Sequence, residues 1–146
     1  VSHYFVLCLA DWRQAGVEEV THFDRMGGEA TFRTIAHNFY VGVAKDPILS
    51  AMYPAKDMAG AEERLRLFLE QYWGGPTTYS DTRGHPRLRM RHAGFHIDTA
   101  AHDAWLRCMH AAIIDLEMEE ELKEELWTYF QYAAHSMINQ PSGDSL

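Results

Sequence analysis

"AGAEERLRLFLEQYWGGPTTYSDTRGHPRLRMRH", residues 59–92, joins a helical stripe, a hard stop and a cationic knot. Leu65, Phe68, Leu69 and Tyr72 recur at i, i+3, i+4 and i+7, one face of an α-helix. Asp57 stands where it can cap the start. Gly74-Gly75-Pro76 ends the helix, since neither residue type sustains it. Residues 74–84 are turn formers and read as a loop. Pro86 then suits the first turn of a short helix carrying Arg87 to His92, with arginine at every second position.

The same periodicity continues on both sides. In "ATFRTIAHNFYVGVAKD" (30–46), Phe32, Ile35, Ala36, Phe39, Tyr40 and Val43 share one helix face. Asp46-Pro47 ends it, because a residue before proline avoids the α region. Downstream, Asp98 is placed to cap a helix whose buried stripe is Trp105, Cys108, Met109, Ala112, Ile113 and Leu116. The last helix, about 119–138, opens on glutamates that favour its positive end, and its stripe is Leu122, Leu126, Tyr129, Phe130, Ala133 and Met137. No alternating strand pattern is visible. The class is all-α, with four substantial helices and short connectors.

Composition narrows the function. A chain of 146 residues is one domain in size, and 47% apolar with 12% aromatic residues argues for a packed core. A formal charge of −8 disfavours nucleic acid, which needs a basic face. Yet six of the 13 basic residues lie between Arg64 and Arg91, so a small anion finds a basic niche there. The acidic run 117–125 reads as a solvated helix start. Cys8 and Cys108 allow at most one bridge, and "YFVLCLA" (4–10) is too short to span a bilayer. The expectation is a soluble cytoplasmic protein without membrane or nucleic-acid partners.

Nucleophile and nucleotide motifs are absent: no G-x-S-x-G, no Walker loop, no G-x-G-x-x-G. Cys108, on an apolar stripe, reads as a core thiol. His92 and His96 have the spacing of two zinc ligands on one helix face, although Gly94 weakens a helix between them. They read equally well as surface histidines. A third reading is axial ligation of haem, which needs one helix histidine facing a flat apolar cavity, with polar groups opposite. Arg64 and Arg91 could meet propionates, and Tyr40, Tyr53 and Trp105 could supply polar hydrogens. Large aromatics on helical stripes are usually core, and the pattern leaves all three readings of His92 open.

The block 59–97, with "DAWLRCMHAAI" (103–113), "AAHSMIN" (133–139) and the Gly-Gly pair in "FDRMGGEATFRTIAHNFY" (23–40), closely resembles the group II truncated haemoglobins. The resemblance spans about Phe23 to Asn139. It implies a domain over 23–139, an N-terminal extension of unassigned role at 1–22 and a flexible tail at 140–146. The fold it implies is a two-over-two helical sandwich around haem b, with His92 as the proximal iron ligand. Trp105, Tyr40 and Tyr53 correspond to the group's distal donors, and Ala61 to the site of a conventional distal histidine. Leu65, Phe68 and Phe95 would contact the haem, and Arg64 and Arg91 its propionates. One departure is "AGF" (93–95), where the family carries proline in place of Gly94.

The resemblance implies reversible binding of O2, and of CO and NO, by several converging donors, and hence oxygen binding or transport. The alternative is a redox haem enzyme, an NO dioxygenase or a peroxidase, supplied with electrons by a separate reductase. Ala61 cannot perform the acid–base work of a distal histidine. A non-haem helical interaction module with a basic patch at 83–91 is the other class. The acidic last helix and aromatics such as Trp127, read as exposed, permit a homodimer.

Overall fold

The computed structural model describes residues 20–53 and 55–140. Four long helices dominate them: α2 (Gly28–Lys45), α4 (Met58–Tyr72), α7 (Thr99–Ile113) and α8 (Glu120–Met137). Short helices α1 (His22–Arg25), α3 (Pro47–Met52), α5 (Thr78–Arg83) and α6 (Leu88–His92), with a 3-10 turn at Ala55–Asp57, complete the order. Among the described residues there is no strand. Helix α2 packs on both α4 and α7, and α7 packs on α8. This is a two-over-two helical sandwich, α2 and α4 over α7 and α8.

The stripes read from the sequence meet in one core. Phe32, Ile35, Phe39 and Val43 of α2 are buried with Met109 and Ile113 of α7 and Leu122, Leu126 and Phe130 of α8. Each such side chain contributes about 1.5–3 kcal/mol on leaving water. Gly42 permits the close approach of α2 to α7, because a Cβ there would stand 3.2 Å from Cys108 Sγ. Cys108 is a buried free thiol whose pKa burial pushes up, as expected of a core cysteine; Cys8 lies outside the described residues.

The ends of the helices follow local chemistry. Asp46 closes α2 and caps α3, accepting from the Ile48 and Leu49 amides at 2.9 and 3.0 Å. Asp98 caps α7 through the Ala101 amide at 2.9 Å. After α4, Gly74 adopts a left-handed φ of 98°, and Gly75 N–H donates to the Glu70 carbonyl at 2.7 Å. Glu70 itself is buried and accepts from Arg66 at 2.9 Å, while Arg66 also reaches Glu29 at 3.5 Å. That network ties α4 to the first turn of α2.

Four expectations need correction. Residues 74–84 are not all loop: Thr78–Arg83 form α5, because burying Tyr79 rewards a turn that local propensity does not favour. Pro86 does not open α6, which starts at Leu88 behind Arg87 in a left-handed conformation at φ 44°. Asp57 occupies the N-cap position of α4, but no backbone amide binds its side chain; the carboxylate pairs with Arg64 at 3.1 Å instead. Trp127 is partly buried rather than exposed, packed against the core with its ring 5.0 Å from that of His110.

Candidate functional site

A cavity of about 540 Å³ lies within the sandwich, in the size range of small-molecule and cofactor sites. It collects all ten site residues named from the sequence: Tyr40, Tyr53, Ala61, Arg64, Leu65, Phe68, Arg91, His92, Phe95 and Trp105. Helix α2 contributes Tyr40, the end of α3 delivers Tyr53, α4 presents Ala61 through Phe68, α6 carries Arg91 and His92, and α7 carries Trp105.

His92 is partly buried, and its Nδ1 lies 2.7 Å from the Leu88 carbonyl, one helical turn back. A carbonyl only accepts, so Nδ1 carries the proton and donates. The lone pair then falls on Nε2, the nitrogen a metal would need, and the bond also fixes the ring. His96 behaves differently. Its side chain is 71% exposed and turned to Asp98 at 3.5 Å, so the two histidines do not converge. The helix has ended at His92, and the i, i+4 geometry on which pairing depends ends with it.

Across the cavity the donors are aromatic. The Tyr40 and Tyr53 rings meet edge to face at 5.4 Å, and Phe39 lies 5.0 Å from Tyr40 and 5.2 Å from Trp105. Burial pushes the Tyr40 phenol far above its ordinary range, and the neighbouring Tyr53 adds to this. Burial also raises Tyr53, partly offset by Tyr40 and by the Trp105 indole. Both hydroxyls therefore keep their protons and can donate. Ala61, 6% exposed, adds only a methyl group to this wall.

The basic rim is built in an unexpected way. Arg91 Nε donates to the Pro86 carbonyl at 2.6 Å, and Nη2 donates to Arg83 and His85 carbonyls at 2.9 and 3.3 Å. Its guanidinium also lies 6.0 Å from the Tyr79 ring centre, with Arg83 at 5.9 Å. Arg91 thus staples the segment leading into α6 as well as lining the cavity. Arg64 is held by Asp57. Phe95 is 44% exposed, at the mouth.

Sequence reasoning missed other wall residues, including Met52, Tyr79, Arg83 and His102. Tyr129 and Met137 were assigned to a core stripe; they lie on that stripe, which faces the cavity over part of its length. Periodicity cannot distinguish a cavity from a neighbouring helix. His102 was legible, because it sits three residues before Trp105 on the same helix face. Its Nδ1 lies 2.8 Å from Asp103 Oδ1.

Two helix pairs around a largely apolar cavity, with an imidazole oriented by a backbone carbonyl and phenol and indole groups on its walls, define a globin-type pocket. The bacterial-like globin family model matches residues 21–139. Group 2 truncated hemoglobin YjbI of Bacillus subtilis is 36% identical over 117 residues, 80% of this chain and 88% of that protein. The thermostable hemoglobin of Thermobifida fusca superposes with a TM-score of 0.80 at 54% identity, covering 82% of this chain and 98% of that one. The truncated oxygen-avid haemoglobin from Bacillus subtilis gives 0.77 at 34% identity, covering 82% and 100%. The chain belongs to the bacterial-like globins and, within them, to the group II truncated haemoglobins. Proteins of this family are haem-binding and oxygen-related.

Proposed function

We propose that the protein binds haem b through His92 and holds O2, and other diatomic gases such as CO and NO, reversibly on the side of Tyr40, Tyr53 and Trp105. The observation that carries this reading is the His92 ring. Its Nδ1–H is committed to the Leu88 carbonyl, which leaves Nε2 as the ring nitrogen for a metal at a cavity of about 540 Å³. The residues fit the group: apolar walls from Leu65, Phe68 and Phe95, and guanidinium charge from Arg64 and Arg91 for its carboxylates.

When bound, haem supplies the iron position at which a diatomic gas is held. The chain does the rest. Trp105 would donate N–H to a ligand that gains partial negative charge, and Tyr40 and Tyr53 can donate O–H to that ligand or to each other. A cavity poor in water strengthens those bonds. Several donors on one small ligand slow its release, in keeping with the oxygen-avid relative. Slow release suits sensing or chemistry better than bulk transport. No flavin or dinucleotide motif occurs in these 146 residues, so NO conversion would need a reductant supplied from outside them.

The test is an absorption spectrum after haem addition, in the parent and in His92→Ala. An intense Soret band in the parent, weakened and shifted in the variant, is expected. No band in the parent overturns the reading.

A further inference from the structure

The helix that bears His92 is tied at its start by Arg91, but its far end has little of its own to hold it in place. It is five residues long, has no side-chain cap, and begins behind the strained Arg87. Gly94 follows, and a Cβ built there meets nothing within 4 Å, so the neighbours do not brace the segment through this position. The restraint comes from elsewhere in the chain. Just past the end of α8, Asn139 Oδ1 accepts from the Ile97 amide at 3.0 Å. Its Nδ2 donates to the Phe95 carbonyl at 2.9 Å and reaches the His92 carbonyl at 3.4 Å. The backbone amides of Asn139 and Gln140 both donate to the Ile97 carbonyl, at 2.9 and 3.1 Å.

We infer that Asn139 is a positioning residue for His92, clamping residues 92–97 to the end of α8 in place of a stiff backbone at position 94. The side-chain amide suits the task because it has an acceptor and donors in one plane. It satisfies the Phe95 carbonyl and the Ile97 amide, and adds a long contact to the His92 carbonyl, which already accepts from the Phe95 amide at 3.0 Å. Ile97 is buried and lines the cavity, as do Ala133, Ala134 and Met137 of α8. The clamp therefore references the histidine to the same layer that forms the cavity wall. Small displacements of an imidazole matter for a metal ligand, whose basicity and direction are set by such outer contacts.

The inference rests on His92 being the iron ligand, and the experiment separates the two claims. In the full chain as purified, Asn139→Ala should speed exchange of the Ile97 amide about tenfold, the effect of losing roughly one well-made hydrogen bond. After haem addition, the same variant should shift or broaden the iron–histidine stretching band and raise the rate of haem transfer to an acceptor several-fold. Asn139→Asp keeps an acceptor for Ile97 N–H but loses the donor to residues 92 and 95. It should preserve much of the amide protection and still alter the iron–histidine band. Gly94→Ala placed in Asn139→Ala should slow haem loss again by stiffening the same segment. An unchanged stretching band and unchanged haem loss in both Asn139 variants overturn the inference. If the parent takes up no haem, the haem reading fails, and an Ile97 amide unaffected by Asn139→Ala overturns the clamp itself.

Discussion

At the scale of single residues, two histidines four apart take opposite fates. His92 is ordered by the Leu88 carbonyl at the cavity, while His96 is mostly in solvent beside Asp98. The difference lies in where the helix stops, one residue before Ala93. Trp105 is the residue whose role is most open to measurement. Its indole has one N–H and no acceptor, so Trp105→Phe removes a donor while keeping an aromatic ring against Phe39 and Phe130. Loss of one such bond to a partly charged ligand should speed O2 dissociation about tenfold or more. Stopped-flow displacement of O2 by CO measures it. An unchanged rate would remove Trp105 from the ligand's hydrogen bonds. Tyr40 carries a linked consequence. Its folded pKa is raised by burial, so the stability of its protonated form is complete below the ordinary 10.0 and is lost as pH rises above it.

At the scale of elements, the short helices position what the long ones cannot. Helix α3 turns the chain between α2 and the 3-10 turn and leads directly into Tyr53. Its start depends on Asp46, whose carboxylate accepts two amides and lies 3.6 Å from Arg107. The Leu49 amide is the chief cause of its depressed pKa. Asp46→Ala should therefore cost about 1 kcal/mol of stability at neutral pH, the usual loss for a helix cap. The folded carboxyl titrates below 3.8, so its contribution is present above that pH and fades as pH falls through the folded value. Urea unfolding of parent and variant at neutral and strongly acidic pH checks both statements. A gap that does not narrow in acid would assign the loss to packing instead.

At the scale of the whole molecule, the cavity is assembled from positions between Phe39 and Met137, contributed by seven helices and the segments that join them. Among the described residues none before Phe39 lines it, although α1 and the first turns of α2 brace the fold through Phe23 and Phe32, whose rings stack at 5.6 Å. Deleting residues 1–20 should leave haem uptake and the Soret maximum unchanged; loss of the band on truncation would give the N-terminal segment a part in the pocket. Among the described residues no helix is long and apolar enough to cross a membrane.

The four long helices were legible because a buried helix face imposes a 3.6-residue period on its side chains, as in Phe32, Ile35, Phe39 and Val43. The stops at Asp46-Pro47 and Gly74-Gly75-Pro76 were legible for a reason equally local, the backbone limits of proline and glycine. The candidate site could be named only through likeness to a family, since periodicity reads Tyr40 and Trp105 as core. Tertiary structure decided the remainder. It made α5 a helix by burying Tyr79, set Arg91 against three carbonyls, and brought Asn139 to the His92 segment from 47 positions away. Contacts of that kind depend on how the helices cross, and the spacing of residues along one helix carries no record of it.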